Sequence, residues 1–389
     1  MSVTKVTDDN IVSMESSKLS GSMPAIDGSS LTGIEGVTKS ASDPATDTNP
    51  SGGIGTLWLN TTSAELYTCT DATTDENVWY NAGAGTGDVQ PWALQGTIKG
   101  WAMQGAAHIN ASSIETTQTY SYVSDGNSTS HANLASGRSN SSFGTGIAST
   151  THGYCMGGNN DVVNASQKQT DKFSLTSTTT AVDIGDLIEA GDRACSQTSE
   201  TKGFISGGSS GGNVGRIESL TYASDSFAGR TNDLITARHA LVGQSSETHG
   251  YASCGTHGGA YSNQIEKFSL STDSASTDVG DATVAQHSAG SASSTTHGYI
   301  AGGHTGANQN VINRFAFASD GDATDWGDMT QQKRHLAGSS STTHGYVAGG
   351  LSGPTVNVIE KWAYASNAGG TDVGDLLSTN EQMAGNVQH

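Results

Sequence analysis

The sequence has little proline, little charge and no long apolar run. Five prolines beside 51 glycines in 389 residues exclude a collagen-like chain, which needs proline-rich triplets. Charged residues make up only 14 % and aromatic ones 6 %. Lysine and arginine number 17 against 37 aspartates and glutamates, a formal net charge of −20. No Lys/Arg cluster that could neutralise phosphates is visible, which argues against a nucleic-acid partner. The acidic balance equally disfavours docking on an anionic membrane surface. No apolar run approaches the roughly 18 residues of a membrane helix, so no membrane insertion is expected. The first 14 residues (MSVTKVTDDNIVSM) have no apolar core and do not read as a signal peptide. Four cysteines, Cys69, Cys155, Cys195 and Cys254, are widely spaced with no CxxC pair. Free, partly buried thiols made in a reducing cytoplasm are the expectation.

What is abundant is glycine, and it is periodic. Glycine inside a helix costs about 1 kcal/mol relative to alanine, so the composition favours short strands joined by tight turns. The octet Thr151-His152-Gly153-Tyr154-Cys155-Met156-Gly157-Gly158 returns as Thr296 to Gly303 and again as Thr343 to Gly350. Looser copies run from Lys202 to Gly208 and from His249 to Gly255, and a degenerate one from Lys99 to Gly105. The anchoring glycines 100, 153, 203, 250, 298 and 345 are spaced by 53, 50, 47, 48 and 47 residues. Each unit also carries an apolar alternation (Ile265-Glu266-Lys267-Phe268; Val358 to Trp362). An Asp-x-Gly-Asp element follows (Asp183 to Asp186, Asp278 to Asp281, Asp325 to Asp328, Asp372 to Asp375), then a run of small residues. Alternation and turn punctuation make four short strands per unit. We letter them a (the small-residue run), b (with Gly-Tyr and the glycine doublet), c and d.

A period near 48 with four strands matches a propeller blade. The apolar pair with its glycine doublet (Val347 to Gly350), the aromatic a dozen residues on (Trp362) and the basic residue opening strand a (Arg193, Arg238, Arg334) resemble kelch repeats. The resemblance covers about Gln90 to His389. It departs in lacking a regular tryptophan late in each unit, where only Trp326 stands. Each small sheet cannot bury its own faces, so blades must stack around a channel. The expected fold is all-β: a six-bladed kelch-like β-propeller over residues 89–389, with seven blades as the alternative. Trp92 to Thr97 and Met383 to Gln388 compete for the a position of the first blade. Met383-Ala384-Gly385 follows Leu336-Ala337-Gly338 by one repeat period, so the C-terminal segment is expected there, removing a free edge.

The first ninety residues differ. Residues 1–45 are polar and aperiodic and read as an extended attachment segment. Within them the stretch from Met23 to Ile34, with Pro24-Ala25-Ile26-Asp27-Gly28-Ser29, resembles stalk segments of bacteriophage tail-fibre proteins. Residues 46–88 hold three strand-like pieces, Gly55 to Thr62, Ala64 to Cys69 and Asn77 to Asn81, and then the linker Gly83 to Gly87. This small antiparallel β module resembles those of phage fibres and other virion proteins. Three strands are marginal alone; the resemblance implies packing on other virion proteins and a homo-oligomer, a trimer.

Candidate chemistry is sparse. His152, His249, His297 and His344 share one repeated position, and His239, His287 and His335 open strand a. Neither series has a second ligand at metal spacing, so they read as turn residues and no metal is expected. Asp-x-Gly-Asp supplies too few oxygens for calcium. No Gly-x-Ser-x-Gly elbow is present, and no catalytic residue or cofactor is assigned. The a–b turns are near-uniform, whereas the b–c loops vary, and variable loops on a rigid scaffold carry recognition. The expected binding residues are His257, Tyr261, His304 and Asn308. Together these features suggest a non-enzymatic phage virion protein, made in the host cytoplasm. On this reading it is a tail fibre whose propeller recognises a host-surface glycan or protein. A glycan-cleaving depolymerase, a head decoration protein and an adhesin are the alternatives.

Overall fold

The glycine-punctuated repeats fold into small sheets because most strands run only four to six residues before a turn residue stops them. The computed structural model describes residues 36–82, 92–103, 105, 116–135, 141–142, 144–160, 165–230 and 232–389. Among them every regular element is a β-strand. They fall into two units, dividing between residues 91 and 92. The stalk-like element at Met23 to Ile34, most of the attachment segment and the linker at Gly83 to Gly87 lie outside the described residues.

The first unit is a four-stranded sheet. Leu57–Asn60, Leu66–Asp71 and Val78–Asn81 are antiparallel, and Thr38–Ser40 adds a fourth strand parallel to Leu57–Asn60. The sequence suggested three strands because Thr38–Ser40 is short and exposed, with no alternation to mark it. Tyr67, Cys69 and Trp79 are fully buried, and Trp58 meets Trp79 edge-on at 5.9 Å.

Among the described residues the second unit carries six antiparallel sheets in the order a-b-c-d, one of them extended by the short strand Thr256–His257, and a small three-stranded sheet of Ser141–Ser142, Asn159–Asn160 and Ala165–Ser166. The first combines Ala384–Gln388 (a) with Lys99–Met103, Thr116–Ser121 and Thr129–Asn133. The C-terminal segment therefore pairs with strand b, and Trp92 to Thr97 does not. The other a strands are Thr145–Ala148, Cys195–Thr198, Val242–Ser245, Gly290–Ser293 and Ala337–Ser340, each buried along its length. Contacts run from each a strand to the next along the chain, and Ala384–Gln388 in turn touches Thr145–Ala148. After strand b the glycine doublet turns the chain: Gly349 and Gly350 have φ of +65° and +107°. A Cβ on Gly349 would sit 2.3 Å from Met383 and 2.5 Å from a carbonyl, so only glycine fits.

Neighbouring sheets are tied in two repeating ways. An acceptor near the middle of strand c takes backbone N–H groups from the d–a loop of the preceding sheet. Ala135 donates to Asp171, Ile188 and Glu189 to Glu218, Ile235 and Thr236 to Glu266. Thr283 likewise donates to Asn313, Thr330 to Glu360 and Leu377 to Gln118. Second, the strand-b tyrosine stacks on an aromatic that ends strand c of the following sheet. Tyr154 meets Tyr222, Tyr251 meets Phe317, Tyr299 meets Tyr364 and Tyr346 meets Tyr122, at 5.3, 4.9, 4.9 and 4.6 Å.

Candidate functional site

The b–c and d–a connections meet at one end of these sheets. Single bridges pair Asp192 with Ser209, His239 with Thr256, His287 with His304 and Arg334 with Leu351. The residue after each d–a partner adopts a left-handed backbone: Arg193 (+53°), Ala240 (+55°), Ser288 (+57°) and His335 (+59°), joined by Gln382 (+61°). None is glycine, and each such conformation costs on the order of 1–3 kcal/mol unless the surroundings hold it. Here backbone bonds hold it. Ala240 N–H donates to the Arg193 carbonyl, Ser288 to Ala240, His335 to Ser288 and Gln382 to His335, at 2.7, 3.0, 2.8 and 3.1 Å.

This belt rims a cavity of about 80 Å³, with Leu241, Leu336 and Met383 in its wall. A deeper space reaches the a-strand interiors, where Asn386 lies among Ser196, Ser291 and Gly385. Asn386 Nδ2 donates to Ser196 Oγ (3.1 Å), and Ser291 Oγ donates to Asn386 Oδ1 (2.8 Å). At the far end Leu94 lines the opening, its carbonyl taking Gln388 Nε2, and Gln95 Nε2 donates to the Ser293 carbonyl. The space is thus a well that opens at the loop end and that Asn386 crosses between this end and the Leu94 opening.

The rim is rich in basic side chains in a chain of net charge −20. Arg193 Nε lies 3.9 Å from the buried Asp192 carboxylate, whose other oxygen accepts from Asn159 and Ser166. His335 Nδ1 donates to the buried Glu381 at 3.0 Å. Burial lowers the pKa of His239, His304 and His335, in the last case against the pull of Glu381. Burial, with His304, His335, Arg334 and His239 around it, brings His287 down to about 4. Each of these shifts favours the neutral imidazole.

Two of the four expected binding residues come together. Tyr261, on the rim of an extended hairpin (Ala260–Ser269 paired with Thr277–Gln286), lies 4.8 Å from His287 and 6.0 Å from His304, ring to ring. His257 flanks the Gly258-Gly259 turn of the same loop, exposed, with Nδ1 donating to the Ala237 carbonyl. Asn308 is a strut: its Nδ2 donates to the Leu351 carbonyl of the next loop, as Asn213 does to Thr256.

The structure corrects two registers read from sequence. His239 and His287 share the bridge position with Arg334, but His335 belongs one residue later, in the left-handed belt. The three arginines grouped as opening strand a occupy three places. Arg193 is in the belt, Arg334 is in a bridge, and Arg238 is fully buried against Glu266 at 2.9 Å. Single-residue offsets are invisible when the flanking loops differ in length. The belt itself was missed: the position two residues before the a strands holds Arg193, Ala240, Ser288, His335 and Gln382, which share no residue type to signal it.

The other repeated elements are local. His152, His249, His297 and His344 each hold the preceding threonine through Nδ1 at 2.8 Å, with backbone N–H donated to a serine three residues back. In each Asp-x-Gly-Asp the first aspartate accepts from the glycine N–H. The four cysteines are buried, and burial raises the Cys254 thiol to about 12, which disfavours the thiolate.

No family model matches the sequence, and no curated protein matches it. Solved structures do resemble the fold. The structure of YjhT superposes with a TM-score of 0.52 at 10 % identity, covering 63 % of this chain and 86 % of YjhT. At that identity the likeness is one of fold.

Proposed function

We propose that the second unit is a six-bladed, kelch-like β-propeller and that the protein is a non-enzymatic virion protein recognising the host surface. Closure into a ring is supported by the ties joining the sixth sheet to the first, Leu377 to Gln118 and Tyr346 to Tyr122. The strand-a contacts that return from Ala384–Gln388 to Thr145–Ala148 support it too.

The observation that carries the recognition reading is the asymmetry of the two ends. One end has near-uniform Ser-Thr-Thr-His turns. The other gathers variable loops, an exposed tyrosine and a basic rim around an open well, the arrangement by which rigid scaffolds present ligand sites. Binding rather than hydrolysis is favoured because the rim carboxylates, Asp192 and Glu381, are buried and hydrogen-bonded within the scaffold. A glycosidase instead needs two carboxylates facing substrate.

The small first unit, with residues 1–88 as a whole, is the attachment end of a tail fibre on this reading, assembled as a trimer on other virion proteins. The test is adsorption of the purified full chain to candidate host cells. Substitution of Tyr261 and His304 by alanine is expected to reduce it at least tenfold, whereas Lys172→Gln, in the outer ion pair with Asp225, leaves it unchanged. Unaltered adsorption of the double variant would refute the binding face.

A further inference from the structure

We propose that a second copy of this chain packs on the open face of the first unit's sheet; this rests on the reading of residues 1–88 as an assembling attachment end. The sheet has two unlike faces. On one, Tyr67, Cys69 and Trp79 form the core with Trp58 against them. The chain before the sheet covers that side, with Trp58 Nε1 donating to the Ser42 carbonyl and Asn77 Nδ2 to the Thr46 carbonyl. Strand alternation sends the intervening residues to the other face. There the register sets Leu57 opposite Thr68, Thr68 opposite Tyr80 and Leu59 opposite Leu66. Tyr80 is 54 % exposed and Leu57 36 %. With Val37 and Ile54 they make four exposed large hydrophobic residues in this small unit, against eight in the described residues of the much larger second unit.

Size and charge identify what covers it. A domain of fewer than about 70 residues usually needs a disulfide, a metal or association to hold it. Residues 36–82 contain one cysteine, Cys69, so no disulfide staples them internally. Among the described residues no three metal-ligating side chains gather. Association is left, and the cover must be at hand whenever the chain folds, which another copy always is. Charge points the same way. Residues 36–82 hold a single cation, Lys39, and six acids, yet Leu57, Leu59, Leu66, Thr68 and Tyr80 are all uncharged, as the centre of an interface is. Lys39 stands opposite Leu59 on one edge strand, and Asp71 stands opposite Val78, the start of the other. These are diagonally opposite corners of the sheet, and neither residue is ion-paired among the described residues. Apposed copies therefore set Lys39 of one against Asp71 of the other, as a pair or around a closed ring. A basic partner would instead be drawn to the acids elsewhere on a chain of net charge −20.

The experiment is sedimentation velocity on the full chain at low salt, with hydroxyl-radical footprinting of the same samples. The wild-type chain is expected to self-associate. In the associated chain Tyr80 should be modified about fivefold more slowly than Tyr261, although Tyr80 is the more exposed of the two in a single copy. Leu57→Glu combined with Tyr80→Glu should weaken association about tenfold or more. Lys39→Glu should weaken it about threefold, and adding Asp71→Lys should restore it. Association untouched by these variants, or a charge swap weaker than Lys39→Glu alone, overturns the proposal. Protection of Tyr80 that persists in chain diluted to monomer assigns the cover to residues 1–35 of the same molecule and overturns it too. Should the glutamate pair unfold the first unit, the wild-type footprint and the charge swap decide. Association retained by the variants sinks this face alone, whereas a monomeric wild-type chain sinks the oligomeric reading of the attachment end with it.

Discussion

Asn386 of the first sheet donates its side-chain N–H to Ser196 of the third, 190 positions away in sequence, and accepts from Ser291 of the fifth. One side chain therefore braces three alternate sheets. Its residue sits at a register break in the strand (Ala384 to Val387) with φ of +61°, so the bulge aims the amide into the well. Removing it as Asn386→Ala takes away the acceptor of the buried Ser291 hydroxyl, while Ser196 keeps its bond to the Gly146 carbonyl, and should cost about 1–3 kcal/mol. Urea unfolding reads this directly. A variant as stable as wild type would show that the brace contributes nothing.

The buried ion pair Arg238–Glu266 has a neutral counterpart one sheet later, where Gln286 and Asn313, both fully buried, stand at the corresponding places. Arg238→Met strands a buried carboxylate and should destabilise by about 3–5 kcal/mol. The double variant Arg238→Gln, Glu266→Asn, which copies the neighbouring sheet, should lose less than the single one. A double variant worse than the single would contradict this.

Close approach of the a strands predicts a sharp contrast among glycines. A Cβ on Gly243 would stand 2.1 Å from the Ser196 carbonyl oxygen, whereas one on Gly212 meets nothing within 4 Å. Gly243→Ala should fold poorly or lose more than about 2 kcal/mol through forced overpacking. Gly212→Ala should stay within about 0.5 kcal/mol of wild type. Thermal melts of the pair decide it.

His287 makes stability depend on pH. Its folded pKa of about 4 lies below the ordinary 6.5, so the unfolded chain binds more protons between those values. Stability contributed by the neutral imidazole is present above pH 6.5 and is lost as pH falls toward 4. His239, His304 and His335, all lowered, act in the same direction. Melting temperatures taken from pH 7 to pH 4 should fall, and His287→Asn should flatten the curve. An identical slope in the variant would count against this.

Deleting Ala384–Gln388 should expose the edge of Lys99–Met103 and remove both Asn386 and the Gln388 bond to Leu94. Because each sheet leans on its neighbours, the loss should propagate. Aggregation or a non-cooperative melt is expected, and a monomeric chain with a sharp, unshifted transition would oppose that view.

The legible part was whatever repeats locally. Gly-Tyr with its doublet, the Asp-x-Gly-Asp turn and the Thr-His turn each obey backbone rules confined to a few residues. Their fourfold to sixfold recurrence fixed the strands and the C-terminal pairing. That Tyr261 and His304 sit on the variable loops of one end was reachable because loop variability against a fixed turn is visible in letters alone. The buried acceptors Glu218, Glu266 and Glu360 were not, since a glutamate in a strand looks solvent-facing until the neighbouring loop is placed over it. Gly191 shows why: lacking a side chain, it leaves room that Arg216, from strand c, fills to meet Glu218.

The sequence by itself determined the period and the strand order within each sheet, because these follow from local patterning. Only the tertiary structure decided that Arg193, Ser288, His335 and Gln382 share one rim and that Asn386 crosses beneath them. Those relations join residues from different repeats, and their distances depend on how sheets stack, which no single repeat encodes.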